Sequence, residues 1–292
     1  FKNMLDVLLK DIDPTHVLVA FDAGKVTFRT KMYGEYKGGR AKTPEELLEQ
    51  MPYIQEMLHD LGIKTYELKN YEADDIIGTF VDKGEKNGFT TAKGEKAGFT
   101  TTIVTGDRDL TQLASDKTTV EVTKSGVSQL EAYTPEHMKE VNGVTPTEFI
   151  DMKALMGDSS DNYQGVTKVG PKTASRLIQK YGSVEGIYDH IDEMKKSKLK
   201  ENLINDKDKA FLAKKLATID RDSPVTLDID DIKRQPVDYE KLRQFYEKMN
   251  FRKFLADLNA SGAGQDSTEV EKVEYIVLND DNVKDVKATE KD

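Results

Sequence analysis

The stretch HVLVAFD, residues 16–22, decides the class of fold. Its apolar residues follow one another without the alternation of a half-exposed strand, so it is predicted to be a buried strand of a parallel sheet. The amphipathic pattern before it, with Met4, Leu5 and Leu9 on one face, predicts a helix. A helix followed by a buried strand that ends in Asp22 is typical of an α/β sheet whose strand ends form a crevice.

The alternation of helices and strands continues to about residue 130. Thr43 and Pro44 predict the N-cap and the first turn of a helix that runs to His59. Further elements are predicted as a strand at 64–68, a helix at 72–82, a strand at 100–104 and two short strands at 120–123 and 126–130. This order predicts an α/β fold with a mostly parallel central sheet and helices on both faces.

The pattern becomes helical from about Thr145. Helices are predicted at 145–156, 171–181, 184–190, 197–204, 208–217 and 238–248. We expect an α/β metal-binding core over 1–144 and a helical DNA-binding part over 145–258. Residues 259–269 have the composition of a linker, and 270–292 begin with the pattern of a strand that belongs to a further domain.

A tandem repeat separates the predicted helix at 72–82 from the predicted strand at 100–104. KGEKNGFTTA (83–92) and KGEKAGFTTT (93–102) match at eight of ten positions. Two copies are too few for a repeat architecture, so the duplication is predicted to lengthen a surface loop.

Composition excludes several classes of function. The 292 residues include no cysteine, which rules out disulfides, thiolate nucleophiles and cysteine-bound zinc. The four histidines have no serine or carboxylate at a motif spacing. No apolar run approaches the ~18 residues of a membrane span. The chain opens at Phe1 inside a helical pattern, so we expect a fragment of a longer protein. We expect a cytoplasmic protein, because the lack of cysteine fits a reducing cytosol. We also expect a monomer.

Basic side chains are concentrated in two segments, although the net charge is −10. The tail at 262–292 carries nine acids and four bases, which accounts for half of the excess. Residues 25–42 hold six bases against one acid, with Phe28, Tyr33 and Tyr36 between them. Rings that stack on bases and cations that meet phosphates are typical of single-strand DNA sites. A solvated loop with ordinary charge is the alternative.

Eight acidic residues are placed where strands end or helices begin. They are Asp22, Glu72, Asp74, Asp75, Asp107, Asp109, Asp158 and Asp161. Any one of these clusters alone is more typical of a helix start that favours negative charge. Four clusters together predict a shared site for Mg²⁺ or Mn²⁺, because hard divalent cations take oxygen ligands.

The segment GVTKVGPKTA, residues 165–174, predicts a tight hairpin that leads into a helix. Its glycines allow the turn, and Pro171 starts a helix whose free N–H groups suit a backbone phosphate. The proline also displaces the lysine from the position it has in nucleotide-binding loops. A sequence-independent DNA contact is therefore predicted. The residues assigned to it are Gly165, Lys168, Gly170, Lys172, Thr173 and Arg176.

Four segments, in this order, resemble one family. They are FDAGKVTFRTKMYGEYKGGRAKTP (21–44), YEADDIIGT (71–79), TIVTGDRDLTQL (102–113) and LMGDSSDN with GVTKVGPKTA (155–174). They are similar to the 5′ nuclease domains of bacterial DNA polymerases I, in the flap-endonuclease superfamily. The resemblance covers about residues 1–258, and the segment from 270 resembles the start of the exonuclease-like domain that follows.

The resemblance implies a structure-specific 5′ nuclease that uses two Mg²⁺ or Mn²⁺ ions and acts on DNA flaps or junctions in replication and repair. Arg29, Lys37 and Arg40 match the family's basic residues that meet the scissile phosphate and the 5′ strand. The carboxylates match its metal ligands, with Glu72, Asp74, Asp75 and Asp107 as the tighter set and Asp109, Asp158 and Asp161 for the second ion. The 165–181 segment matches its helix-hairpin-helix-like motif.

Two departures from the family leave alternatives open. A further Asp, which the family carries on a first strand upstream of the helix that begins here, is absent from this sequence. Tyr163 and Gln164 stand where the family usually has Ile-Pro or Leu-Pro. A DNA-junction-binding fragment with impaired catalysis is the alternative. A metal-dependent phosphatase for small substrates is a third hypothesis, which leaves both basic segments unused.

Overall fold

The computed structural model of the chain describes residues 1–87, 89–90, 96–124 and 129–262. The first half contains α1 (Lys2–Ile12), β1 (Leu18–Phe21), α2 (Phe28–Met32), α3 (Glu45–Leu48), α4 (Met51–Asp60), β2 (Lys64–Glu67), α5 (Ala73–Asn87), β3 (Phe89–Thr90), β4 (Lys96–Ala97) and β5 (Thr101–Thr105). A 3₁₀ helix (Arg108–Leu113), β6 (Thr118–Thr123) and β7 (Leu130–Tyr133) complete it.

The second half is helical. It contains α6 (Pro135–Asn142), α7 (Pro146–Met156), the short strands β8 (Gly157–Asp158) and β9 (Tyr163–Gln164), α8 (Pro171–Tyr181), α9 (Val184–Asp189), α10 (Lys198–Asn205) and α11 (Lys207–Ala217). Single 3₁₀ turns lie at Ile191–Glu193 and Ile229–Ile232, and α12 (Tyr239–Lys248) and α13 (Arg252–Ala260) follow. The predicted α/β class with a helical C-terminal part is confirmed.

The parallel pairings are divided between two sheets in the described part of the chain. β1 pairs in parallel with β2, while β5 pairs in parallel with β6, which pairs antiparallel with β7. Helix α5 packs against both β1 and β5. Every residue of β1 is half-buried, which corrects the prediction of a fully buried strand. The physical reason is that β1 has a strand partner on one edge within the described residues.

Two predicted elements differ in their bounds. The helix expected from Thr43 to His59 is broken into α3 and α4, and Pro44 rather than Thr43 is the N-cap of α3. Helix α5 continues to Asn87 and so takes up the beginning of the duplication. The hairpin of β3 and β4 contains some of the remaining duplicated residues. Residues 88 and 91–95 lie outside the described part.

Helix α7 contributes Phe149, Met152, Ala154 and Leu155 to a cluster of buried apolar side chains that we call the main core. It packs against α8, α11 and the first 3₁₀ helix. Thr145 begins it with a reciprocal capping box to Glu148, as the sequence predicts. Most of its residues are buried, and Ala154 and Leu155 have no exposed surface. A helix that is apolar on all sides is expected in such a position. The charged residues Asp151 and Lys153 are the buried exceptions.

The chain forms two compact units, residues 1–236 and 237–292. In the second, the helices α12 and α13 bring together the rings of Phe245, Tyr246, Phe251 and Phe254. The divisions predicted at 144/145 and at 258/259 stay predictions, and residues 263–292 lie outside the described part. Among the helices of the described residues, none has the length and apolar character needed to cross a membrane.

The hairpin before α8 depends on one of its two predicted glycines. A Cβ on Gly165 would lie 2.4 Å from the carbonyl oxygen of Leu155 and 2.4 Å from the amide nitrogen of Gly157. A Cβ on Gly170 would meet no atom within 4 Å. The close approach of two backbone segments therefore requires glycine at 165, whereas position 170 has room for a side chain.

We expect Gly165→Ala to destabilise the chain strongly because two backbone atoms must move apart. The free energy of unfolding, measured by urea denaturation, should fall by about 3 kcal/mol or more. Gly170→Ala, the matched control, should change it by less than about 1 kcal/mol. Similar losses in the two variants would contradict the close approach at Gly165.

Candidate metal site and nucleic-acid interface

Four carboxylates meet near the ends of β1 and β5 and the start of α5. Asp22 follows β1, Asp107 follows β5, and Glu72 and Asp74 lie at the beginning of α5. The pKa of Asp74 is raised to about 7, most by burial and further by the charges of Asp107, Glu72 and Asp22, while Lys37 works to lower it. We call Asp22, Glu72, Asp74 and Asp107 the first carboxylate group. It carries more negative charge than its neighbours neutralise.

Hydrogen bonds hold the first carboxylate group in place. The Ala73 N–H donates to Asp22 Oδ1 at 2.7 Å, which joins the end of β1 to α5. Lys37 Nζ donates to Glu72 Oε2 at 2.8 Å. Asp107 caps the 3₁₀ helix by accepting the Asp109 N–H at 2.9 Å. Each bond leaves other carboxylate oxygens of the group without a described partner, and those oxygens are available to a cation.

Asp75 is placed differently from Glu72 and Asp74, its two acidic neighbours in sequence. It is fully buried, and Arg29 donates to its two oxygens at 2.7 Å each. The N–H groups of Glu72 and Asp220 add bonds of 3.1 and 2.9 Å. A carboxylate with both oxygens bonded in this way has no position for a metal ion. These bonds do not favour the predicted role of Asp75 as a metal ligand, which stays a prediction.

Arg29 is also an interior residue, with 2% of its surface exposed. Besides Asp75, it donates from Nε to the carbonyl of Leu216 at 3.0 Å and from Nη2 to that of Thr218 at 2.7 Å. Burial works to lower its pKa, but the bond to Asp75 raises it, so the guanidinium is permanently charged. The burial of this guanidinium does not favour the expected contact with a scissile phosphate, and that contact stays a prediction.

A second set of carboxylates surrounds Lys153. Its Nζ lies 2.8 Å from Asp109 Oδ1 and also donates to Asp158 Oδ2. Asp158 Oδ1 accepts the N–H and the hydroxyl of Ser160 at 2.7 and 2.6 Å. We call Asp109 and Asp158 the second carboxylate pair. Sequence reasoning missed Lys153, because a lysine inside an apolar helix gives no local signal of its partners.

Asp161 is bound by the basic segment. Arg40 Nη2 donates to its Oδ1 at 2.5 Å, and the Tyr36 hydroxyl donates to its Oδ2 at 3.0 Å. The Lys37 N–H donates to the Asp161 carbonyl at 2.8 Å. The structure thus places Lys37 and Arg40 beside the carboxylates, and their contact with the scissile phosphate stays a prediction. Arg40 keeps about half of its side chain exposed, 49%.

The aromatic residues of the 25–42 segment are less exposed than expected. Tyr36 is 5% exposed, and burial, together with Glu72 and Asp161, raises its pKa, so that its hydroxyl stays a donor. The burial of Tyr36 does not favour the expected stacking of its ring on DNA bases, which stays a prediction. Tyr33 packs against the main core, and Phe28 is half-buried with its ring 5.5 Å from that of Tyr71.

Tyr163, which stands at the departure from the family pattern, is buried next to the same region. Its ring lies 6.4 Å from that of Tyr36 in a stacked arrangement. Its hydroxyl has no hydrogen-bond partner among the described residues. Burial raises its pKa, as do the charges of Asp109, Asp158 and Asp161. The ring is therefore buried near the acidic residues, and its hydroxyl stays neutral.

The first carboxylate group fits a divalent cation by its chemistry. Its oxygens are the ligands that Mg²⁺ and Mn²⁺ prefer, and the charges of Asp107, Glu72 and Asp22 act together with burial to raise the pKa of Asp74. In the described residues, no three acidic or histidine side chains are arranged as a ready-made metal site.

The hairpin before α8 presents its basic side chains to solvent. Lys168 is exposed and has a left-handed backbone with φ 60°. Lys172 and Arg176 are exposed on α8, and Thr173 is half-buried. The exposed N-terminus of α8 and these cations agree in placement with the predicted phosphate contact. That contact stays a prediction.

Two residues that sequence reasoning missed fix the hairpin from the far side. Asp206 Oδ2 accepts the Thr167 N–H at 2.9 Å, and Asn202 Nδ2 donates to the Thr167 carbonyl at 2.9 Å. Lys209 lies 2.8 Å from the other oxygen of Asp206. The position of Asp206 just before α11 predicts a helix cap, but its side chain bonds the hairpin instead.

Two family models match consecutive parts of this chain. The 5′-3′ exonuclease N-terminal resolvase-like domain matches residues 1–143. The 5′-3′ exonuclease C-terminal SAM fold matches residues 144–240. The chain therefore belongs to the 5′-3′ exonuclease family, as the resemblance of its motifs implies.

Bacterial relatives match nearly the whole chain. DNA polymerase I of Streptococcus pneumoniae (strain ATCC BAA-255 / R6) is 51% identical over 287 residues, which are 97% of this chain and 32% of the relative. DNA polymerase I of Bacillus subtilis (strain 168) is 48% identical over 286 residues, 98% of this chain and 31% of the relative. The chain thus spans about a third of the length of these relatives.

Solved structures share the fold. The T5 5′-exonuclease with bound divalent metal ions (zinc) has a TM-score of 0.62 and 22% identity, with 88% of each chain covered. The catalytic core of Rad2 in complex with a DNA substrate has a TM-score of 0.56 and 16% identity, covering 88% of this chain and 82% of that one. At these identities the likeness shows the fold, and it confirms the expected α/β architecture.

We expect Arg29→Met to destabilise the chain because it leaves Asp75 charged and buried without its partner. Breaking a buried ion pair costs about 3–5 kcal/mol, so the free energy of unfolding should fall by that amount. Arg40→Met removes an exposed partner of Asp161 and should cost less than about 1 kcal/mol. Chemical denaturation measures both. Equal effects would contradict the interior role of Arg29.

We expect Asp74 to make metal-free stability depend on pH. Its pKa is raised from 3.8 to about 7, so the folded state holds its proton more tightly than the unfolded state does. The stability from this group is complete below pH 3.8 and is lost as pH rises to about 7. The lost stability grows by at most about 1.4 kcal/mol per pH unit.

The measurement is thermal unfolding of the chain and of Asp74→Asn in a chelating buffer. The variant cannot ionise at this position, so its advantage in melting temperature should widen with pH and level off above about pH 7. Added Mg²⁺ should narrow the gap by favouring the ionised carboxylate. A gap that stays constant over this pH range would show that Asp74 titrates normally.

Proposed function

We propose that this chain hydrolyses phosphodiester bonds at the 5′ ends of DNA, at flaps or at junctions of single strand and duplex. The proposal rests on the first carboxylate group, which lies at the ends of β1 and β5 with Lys37 bound to it at 2.8 Å. Two observations support it. Four carboxylates of that group face one lysine and one arginine at Glu72, and the chain belongs to the 5′-3′ exonuclease family.

The ions in this proposal are two Mg²⁺ or Mn²⁺. When bound, divalent ions lower the pKa of a water ligand and stabilise the charge on the attacking and leaving oxygens. Asp22, Glu72, Asp74 and Asp107 would hold the first ion. The second ion would lie toward Asp109, Asp158 and Asp161. Asp75 takes no part, because its oxygens are bonded by Arg29 and two backbone N–H groups.

Lys37 and Arg40 would position the substrate phosphate. Both are anchored through one bond, Lys37 to Glu72 at 2.8 Å and Arg40 to Asp161 at 2.5 Å. Their remaining N–H donors are free to meet phosphate oxygens where negative charge increases during hydrolysis. Pairing with a carboxylate keeps both cations oriented, so little ordering is needed when the strand arrives.

Duplex DNA would be held by the hairpin at 165–170 and the start of α8. Lys168, Lys172 and Arg176 are exposed there, and a helix N-terminus suits a phosphate. The T5 flap endonuclease and Rad2 structures are described as complexes with DNA, which supports DNA as the partner in this proposal. A metal-dependent phosphatase for small substrates would have no use for this surface.

The wider setting of the proposal follows from the relatives. They are bacterial DNA polymerases I, so we propose that the parent protein removes primers and repairs DNA in the cytoplasm. We propose that the chain acts as a monomer, because the residues named for catalysis and DNA contact all lie within one compact unit, 1–236.

A binding fragment with impaired catalysis is the second candidate. It is favoured by one observation, that no three acidic or histidine side chains in the described residues form a ready-made metal site. This candidate keeps the hairpin contact with duplex DNA and omits cleavage. In both candidates, affinity for DNA should fall steeply with salt, because phosphate contacts release counterions.

The test is incubation of the chain with a labelled 5′-flap duplex and Mg²⁺. We expect cleavage near the junction, and Asp107→Ala should lower the rate by about 100-fold or more because a ligand of the first ion is lost. Asp116→Ala is the control. Asp116 is exposed and precedes β6. Because β5 and β6 are parallel, it lies at the opposite end of these strands from Asp107.

The outcomes separate the two candidates. Cleavage by the chain and by Asp116→Ala, with loss in Asp107→Ala, supports the nuclease. Salt-sensitive binding without cleavage in all three proteins would overturn it in favour of the binding fragment. Cleavage that survives in Asp107→Ala would remove the first carboxylate group from the mechanism.

A further inference from the structure

Lys153 is a buried cation inside the helix that organises the core. It lies in the last turn of α7, and 11% of its side chain is exposed. Its amine contacts Asp109, which comes from the 3₁₀ helix after β5, and Asp158, which follows α7 directly. A lysine is almost never buried this deeply unless its charge is paired. Here one amine joins two carboxylates from separate elements.

A lysine amine is positively charged at neutral pH, and this one lies within ion-pair distance of both carboxylates. The second carboxylate pair therefore already faces a positive charge supplied by the chain.

Bonding leaves Asp158 little capacity for a metal ion. Its Oδ1 accepts the Ser160 N–H, the Ser160 hydroxyl and the Asp161 N–H at 2.7, 2.6 and 3.2 Å. Its Oδ2 accepts Lys153. An ion on this pair must displace the amine or lie beside it, and either arrangement carries an electrostatic cost. The first carboxylate group has no equivalent buried lysine among the described residues.

We propose that Lys153 is a positioning residue that serves as a fixed cation between Asp109 and Asp158, and that it weakens the binding of a divalent ion by this pair. This inference rests on the proposed function, because the pair is there assigned to the second ion. Its consequence is an asymmetric site. The first carboxylate group binds its ion tightly, and the second ion binds weakly until a further ligand, such as a phosphate, contributes.

Lys214 offers a matched control within the same fold. Its Nζ lies 2.6 Å from Asp151 and 2.6 Å from Glu185, so it also joins two carboxylates. Burial works to lower its pKa, and the two carboxylates raise it, as at Lys153. Asp151 and Glu185 are outside the proposed metal site. Replacing Lys214 therefore shows what the loss of two ion pairs does to the chain away from the proposed metal site.

The experiment is a titration of the 292-residue chain with Mn²⁺, followed by calorimetry and by the spin resonance of free Mn²⁺. We expect Lys153→Met to tighten the weaker binding step by about tenfold, within the range usual for coupled sites. Lys153→Arg, which keeps the charge, should bind as the unchanged chain does. Lys214→Met should also leave both binding steps unchanged.

Thermal unfolding gives a readout that is independent of binding stoichiometry. Without metal, Lys153→Met and Lys214→Met should both melt at lower temperature, because each leaves two carboxylates unpaired. Saturating Mn²⁺ should restore Lys153→Met toward the unchanged chain and should have no such effect on Lys214→Met. If Lys153→Met does not fold, Lys153→Gln takes its place in both measurements.

Two results would overturn the inference. One is a Mn²⁺ titration of Lys153→Met, or of Lys153→Gln, that equals that of the unchanged chain. The other is the same tightening in Lys214→Met. Failure of the nuclease proposal is a separate event, since it is seen as absent flap cleavage by the unchanged chain and does not alter the comparison of Mn²⁺ affinities.

Discussion

The buried pair of Arg29 and Asp75 is the interaction on which the rest of the site depends. Its two parallel hydrogen bonds of 2.7 Å join α2 to the first turn of α5. Arg29 also binds the Leu216 and Thr218 carbonyls, and Asp75 accepts the Asp220 N–H. Three distant segments thus meet at one charge pair. Because Glu72 and Asp74 precede Asp75 by three residues and by one residue, their positions at the strand ends follow from this pair.

Much of the fold could be predicted because its signals are local. The capping box of Thr145 and Glu148 and the proline after it determine where α7 begins, whatever its partners are. Likewise, Asp22 and Asp107 directly follow apolar strands, so their place at the ends of β1 and β5 follows from the sequence pattern. The boundary between α3 and α4 was less predictable, since a short break in a helix depends on packing more than on propensity.

The roles of Arg29, Tyr36 and Lys153 could not be predicted in the same way. Arg29 lies in a segment that resembles an exposed basic loop, yet its partners are residues 46 and 187 positions away. A charged side chain is buried when tertiary contacts satisfy it, and no local pattern encodes those contacts. Tyr36 was assigned to base stacking for the same reason, whereas its hydroxyl is a donor to Asp161.

The eight carboxylates are best distinguished by the cations that already face them. Asp75 is neutralised by Arg29, Asp161 by Arg40, and Asp109 and Asp158 share Lys153. In the first carboxylate group, four acids face Lys37 at 2.8 Å and Arg29 at 3.7 Å from Glu72, and the Arg29 charge is already committed to Asp75. A divalent cation gains most where negative charge is in excess and oxygens are open. In the proposed function, the arrangement of these cations, rather than the number of acids, would therefore determine where a metal ion binds.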